Sequence, residues 1–217
     1  MKLQKILAAV AGASCLAMAP MAANATVTLT IDDLSTAGVD WTSGALPSGT
    51  PAFHGGTVGS WTLSNTTGLG NGWSTIFGID LNSISASSSA GGTLRVTLTE
   101  TDLALGMPGP VSFGGLIGGT TQGSVSYASW VDDANTAFGH GALLFAGTSG
   151  SGAFSASGSQ TVAVTDPFSL TLQVDITHVG AKLTSFDFAT QVPEPGSMAL
   201  ISIGLLGLGA FSRRRQA

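Results

Sequence analysis

From Phe168 to Thr177 the chain alternates without a break. Phe168, Leu170, Leu172, Val174 and Ile176 share one parity, and Ser169, Thr171, Gln173, Asp175 and Thr177 share the other. Successive side chains of a strand point to opposite faces, so a period of two describes a strand with one buried and one wet face. Val27, Leu29 and Ile31 repeat the pattern, as do Leu94, Val96 and Leu98. Shorter matches occur at Trp61/Leu63, Val125/Tyr127, Val162/Val164 and Phe186/Phe188. No stretch between residues 26 and 191 combines helical spacing with helix-favouring residues over three turns. The pattern predicts an all-β fold, a single antiparallel β-sandwich of jelly-roll type. A fixed-period repeat is absent, which argues against a solenoid or propeller. The clusters SASSSAGG (85–92) and GTSGSGAFSASGSQ (147–160) read as separators between strands, and residues 101–123 as a long loop or irregular edge.

The two ends depart from this alternation. Lys2 and Lys5 precede the apolar stretch ILAAVAGASCLAMAP, and small residues follow at Ala23 and Ala25. A positive start, a short apolar core and small residues three and one before a cut make a secretory signal peptide, with cleavage by signal peptidase between Ala25 and Thr26. The only cysteine, Cys15, lies in this leader, so the processed chain has no thiol and no disulfide. At the other end, Pro193-Glu194-Pro195 precedes an apolar segment, 196–212, and then Arg213, Arg214 and Arg215. Its 17 residues are at the lower limit for a membrane-spanning helix, and basic residues remain on the cytoplasmic side. Three domains result: signal peptide 1–25, extracytoplasmic body 26–191 and C-terminal tail 192–217.

The order of Pro-Glu-Pro, apolar segment and arginines resembles the PEP-CTERM sorting signal of Gram-negative bacteria. The resemblance covers only the tail. It implies export by the general secretory route, an inner-membrane-anchored precursor, and cutting near the motif by an exosortase. The product is then released or held at the cell surface, commonly where exopolysaccharide is secreted. Two prolines one residue apart hold an extended backbone that joins neither helix nor sheet, which suits a recognition handle.

Charge separates the body from its ends. Residues 26–191 carry two basic residues, Arg95 and Lys182, against eleven acidic ones, a formal charge of −9. So acidic a body has no electrostatic footprint for nucleic acid. No nucleophile elbow, HExxH or phosphate loop occurs, and His54, His140 and His178 are isolated in sequence. His178 falls on the inward parity of its strand and reads as a rim histidine with a satisfied ring. Glu100 and Asp102 have no partner carboxylate placed across a cleft for glycosidase chemistry. Calcium is the one cofactor that residue clusters suggest: Asp132, Asp133 and Asn135, or Asp32 and Asp33, supply hard oxygen ligands, although adjacent aspartates on a strand point to opposite faces. Trp61, alternating with Leu63, belongs to the core; Trp41, Trp73 and Trp130 are the candidate sugar-stacking residues.

The expected function is therefore that of a non-enzymatic surface protein, structural or adhesive, in envelope, biofilm or exopolysaccharide matrix. The alternative is a carbohydrate-binding module, calcium-dependent if the aspartates hold the ion. A secreted hydrolase ranks behind both.

Overall fold

A computed structural model of the 217-residue chain describes residues 25–71, 77–106 and 109–192. The signal peptide, the sorting tail with its apolar segment, and Trp73 lie outside the described residues. Among the described residues no helix is long and apolar enough to cross a membrane. They form the strands β1 (Thr26–Asp33), β2 (Trp41–Thr42), β3 (Leu46–Pro47), β4 (Ala52–Val58), β5 (Trp61–Leu69), β6 (Phe77–Ser88), β7 (Gly91–Leu103), β8 (Gly109–Thr121), β9 (Ser124–Asp132), β10 (Ala142–Ser149), β11 (Gly152–Val164), β12 (Phe168–Val179) and β13 (Lys182–Val192).

Two antiparallel sheets face each other. The first has the order β10-β9-β12-β7-β1-β2, with β3 also on β1, and the second β11-β8-β13-β6-β5-β4. From β6 onward every connection crosses between the sheets except β9–β10, which stays within the first. The inner eight strands thus wind as a jelly roll, which β1 to β5 extend on one side. Alternation accounts for the core. Leu29, Ile31, Leu94, Val96, Leu98, Leu172, Val174 and Ile176 point from the first sheet onto Trp61, Leu63, Ile84, Phe113, Phe186 and Phe188 of the second, all buried. Trp61 is fully enclosed, as its parity with Leu63 requires.

The Gly/Ser-rich stretches correct the sequence reading. Most of residues 101–123 is strand: β7 continues to Leu103, and β8 occupies Gly109–Thr121. Within 147–160 only Gly150 and Ser151 are a turn; the rest belongs to β10 and β11. Glycines occupy these strands because rings from elsewhere fill the space above them. A Cβ on Gly115 would sit 2.5 Å from the Phe145 ring, and one on Gly158 2.9 Å from it. Phe145 reaches from β10 into this slot and meets Tyr127 and Phe188 at centroid distances of 5.3 and 6.2 Å.

Thr26 and Val192 emerge at the same end of the sandwich. Thr26 pairs with Thr101, whose strand carries Leu103 opposite Phe168. Val192 pairs with Phe77, whose ring lies 6.0 Å from that of Phe168.

Candidate functional site

The outward parity of the first sheet forms rows that cross the strands. Thr30, Thr97, Gln173 and Ala128 make one row; Asp32, Arg95, Asp175 and Ser126 make the next. In the second row Arg95 and Asp175 join in a two-pronged pair, Nε to Oδ1 and Nη2 to Oδ2, each 2.8 Å. Charge-assisted pairs of this geometry fix both side chains. The Asp32 Oδ1 atom is buried and has no hydrogen-bond partner among the described residues. Burial, then the nearby Asp40 charge, raise its pKa; Arg95 opposes them.

Two loops turn this part of the sheet into a cleft of about 250 Å³. Its floor is Thr30, Thr97, Gln173, Asp32 and Arg95. Val39 walls one side, from the loop after β1; Phe138 and His140 wall the other, from the loop after β9. This second loop folds back over the sheet. The Phe138 N–H donates to Thr99 Oγ1 (3.1 Å), and Ser169 Oγ donates to the Thr136 carbonyl (2.8 Å). That cover explains why Thr99, Thr171 and Ser169 are buried despite their outward parity.

The candidate calcium ligands build the loops. Asp132 accepts the N–H groups of Ala134 (Oδ1, 3.1 Å) and Thr136 (Oδ2, 3.3 Å), an aspartate turn. Asp133 Oδ1 accepts the Thr165 N–H at 3.2 Å. Asn135 accepts the Asp102 N–H and donates to Asp102 Oδ1, both at 2.8 Å. Asp33 turns inward, away from Asp32, and accepts from Ser35 and Ser60 through N–H and hydroxyl alike. Burial pushes its pKa up, but these bonds outweigh it and the pKa falls below the ordinary carboxylate value. Among the described residues no three His, Cys, Asp or Glu side chains converge as a metal site requires. Glu100 points inward and is buried, accepting from Ser48 Oγ (2.6 Å) and the Asn71 N–H (2.7 Å).

The tryptophans separate. Trp41 pairs with inward-facing Ile31 and lies 4.4 Å from the His54 ring, closing the gap between β2 and β4. Trp130 lies on the outer face and stacks on His140 at 4.0 Å and 17°. It thus backs the cleft wall, and Trp41 and Trp130 form no common row. His178 is buried, with Nδ1 2.8 Å from Ser88 Oγ and Nε2 2.8 Å from Thr184 Oγ1, the satisfied ring expected of it.

The cleft residues overlooked in the sequence are Arg95, Asp175, Gln173, Phe138 and Val39. Outward parity was a signal for the first three. For Phe138 there was none: its φ of 59° is a left-handed backbone that a bulky residue rarely adopts. Asn135, at φ 54°, and the Phe138–Thr99 bond hold the loop in that shape.

β13 ends at Val192, immediately before Pro193. The family model covering this stretch matches residues 191–215. The tail carries a PEP-CTERM protein-sorting motif. This sorting motif implies an exported protein that passes through a membrane-anchored precursor and is processed by exosortase. No curated protein matches the chain. Among solved structures, the enzymatically active domain of bacteriophage CBA120 tailspike protein 4 aligns over 62% of this chain and 20% of its own, at 15% identity and a TM-score of 0.36. The chain therefore spans about a fifth of the tailspike structure's length. TmCBM61, solved with β-1,4-galactotriose, aligns over 62% of this chain and 90% of its own, at 10% identity and a TM-score of 0.34. The K1 cleaved adhesin domain of Lys-gingipain from Porphyromonas gingivalis W83 aligns over 67% and 99%, at 12% identity and a TM-score of 0.33.

Proposed function

We propose that the protein is a non-enzymatic, surface-sorted adhesin whose body binds polysaccharide in the outer-face cleft of the first sheet. The observation that carries this reading is Phe138. A strained backbone at a ligand wall persists only where surrounding bonds enforce it, and here they direct an apolar ring over a polar floor. A sugar ring offers the matching chemistry: apolar C–H faces for Phe138 and Val39, and hydroxyls for Asp32, Gln173, Thr30 and Thr97. Asp32 lines the floor with a carboxylate, while Arg95 already occupies the Asp175 carboxylate. The cleft accordingly supports hydrogen-bonding recognition in preference to acid–base catalysis by two carboxylates. Its volume suits a single sugar unit of a chain.

The placement of the ends supports the same reading. Both Thr26, the expected product of signal peptidase, and Val192, next to the sorting motif, leave one end of the sandwich. Arg95 and Asp175 lie several residues along their strands from that end. A precursor tethered through its tail presents the cleft away from the inner membrane, toward exopolysaccharide.

The test is affinity electrophoresis of the exported, processed protein through neutral and uronate polysaccharides. At least one polysaccharide should retard the parent, and Phe138→Ala and Gln173→Ala should each weaken binding at least tenfold. Failure of every polysaccharide, or unchanged binding by both variants, overturns the cleft as the site. Intact mass in cells with and without active exosortase checks the sorting: the tail should be lost only where the enzyme works.

A further inference from the structure

We infer that β11 is a self-association edge, through which two copies of this chain join their second sheets into one continuous sheet. An edge strand exposes unpaired backbone N–H and C=O groups, and proteins ordinarily blunt such edges by shortness, charge, proline, a bulge or a cover. Each of the other three edges has such a device. β2 is two residues long, β4 is bulged between His54 and Gly56, and β10 is bulged between Leu143 and Phe145. β11 has none of them. Its thirteen residues pair with β8 in unbroken register from Gly152↔Thr121 to Val164↔Gly109, it carries no charge and no proline, and it is exposed along most of its length. Among the described residues nothing pairs with its outer side.

The charge pattern selects the occupant. The body carries −9, and two copies repel wherever acidic surface meets acidic surface. Residues 103–131 and 134–165 contain no Asp, Glu, Lys or Arg, and these stretches build β8, β10, β11 and all of β9 except Asp132. Another copy can therefore approach this side without charge repulsion. The strand also suits itself as a partner. Its outward parity holds Ala153, Ser155, Ser157, Ser159, Thr161 and Ala163, all small, so on that face an antiparallel twofold pairing brings no bulky side chains together. The six-stranded second sheet then becomes one of twelve strands. This inference does not depend on the cleft.

The test uses the full chain in intact cells, in a Cys15→Ser background that leaves no other cysteine. Single substitutions Ser155→Cys, Ser157→Cys, Ser159→Cys and Thr161→Cys are treated with a short bis-maleimide. In a twofold antiparallel pair, equivalent residues separate by about 7 Å for each residue from the axis. Dimer yield should therefore peak at one or two of these positions and fall at least fivefold by the far one. Adding Ser157→Lys to the Ser159→Cys variant should reduce the yield at least fivefold, while Thr62→Cys, on exposed β5, should give none. Absent dimer, a flat yield that includes Thr62→Cys, or cross-linking only to a different protein would overturn the inference.

Discussion

The two halves of this sandwich solve the same packing problem with different residues. On the side of β1, β6, β7 and β12, each strand fills its own share of the core with alternating aliphatics; Asp32, Arg95 and Asp175 sit in one outward row, and only Asp33 and Glu100 at strand ends turn their charge inward among these four strands' described residues. On the side of β8 to β11 the strands are rich in glycine and almost free of charge. There the space is filled from other strands, with Phe145 of β10 seated across the sandwich over Gly115 and Gly158, and Tyr127 of neighbouring β9 over Gly147. The first half holds its chemistry on a sheet face; the second is a slim, neutral wall. Glycine in a strand normally weakens it. Here the missing side chains are the sockets for the rings, so composition that reads as linker builds strand.

The largest effect that would break this comparison is expected at alternate glycines of β8. A Cβ on inward-facing Gly119 would overlap the Ser185 carbonyl and the Phe186 backbone, neither of which can yield easily. Gly119→Ala should cost about 3 kcal/mol and Gly115→Ala about 2, since overpacking of this kind typically costs 1–3 kcal/mol and the Phe145 ring can shift. The outward neighbours behave oppositely. At Gly114 and Gly118 the nearest atoms would lie 3.7 and 3.8 Å away, ordinary contact. Gly114→Ala and Gly118→Ala should be neutral or stabilising by about 0.5 kcal/mol, through the reduced freedom of the unfolded chain. Urea unfolding of the four variants decides it; equal losses at all four would mean that glycine is needed for backbone shape instead of ring sockets.

The same contrast explains what could be read in advance. Strict alternation located the inward faces of β1, β7, β12 and β13, because there each residue's own parity decides its burial. It failed for β8 and for β11 before Val162, where the filling side chain belongs to another strand: nothing near Gly115 in sequence announces Phe145. The cleft was legible only in its outward residues. Arg95 and Asp175 are eighty positions apart, and only the β7–β12 register sets them side by side. Trp130 was a candidate sugar-stacking residue, but its stacking under His140 depends on a loop folding back over the sheet. The clustered aspartates have turn-building bonds that the sequence could not separate from calcium ligation, because the two draw on the same residue types.

A middle-sized effect tests the seam where the halves meet. Thr121 of β8, Thr184 of β13, His178 of β12 and Ser88 of β6 form one buried chain of hydrogen bonds. Ser88 Oγ donates to the Gly180 carbonyl, so it accepts from His178 Nδ1–H; Nε2 is then bare and accepts the Thr184 hydroxyl. Burial, with the nearby Lys182 charge second, lowers the His178 pKa below the ordinary 6.5. Above about pH 6.5 both folded and unfolded chains leave this ring neutral, and stability is at its full value. As pH falls, the unfolded chain takes up a proton that the folded one refuses, so stability drops by up to about 1.4 kcal/mol per pH unit until the folded pKa is reached. Urea midpoints measured from pH 8 to pH 5 should fall accordingly. His178→Gln should flatten most of that slope, the remainder coming from His54, whose pKa burial also lowers. A slope unchanged in the variant would place the titrating group elsewhere.

The smallest effect on stability should be the most informative about the cleft. The Arg95–Asp175 pair is well formed, but Arg95 is 39% exposed, and exposed ion pairs contribute only about 0–1 kcal/mol. Arg95→Met keeps the apolar stem against the sheet and removes the pairing, so unfolding should change by less than about 1 kcal/mol. Its effect on the floor is larger. The Asp175 carboxylate loses the guanidinium that neutralises and orients it, and Asp32 loses the one nearby cation that opposes its raised pKa. Two acidic groups then share a row without a counter-charge. If the cleft holds sugar hydroxyls, polysaccharide affinity should fall at least tenfold in this variant, while the β11 cross-linking profile stays unchanged. Loss of stability and binding together would make the pair a structural brace of the sheet. Loss of binding alone assigns recognition to the charged face and leaves association to the neutral wall.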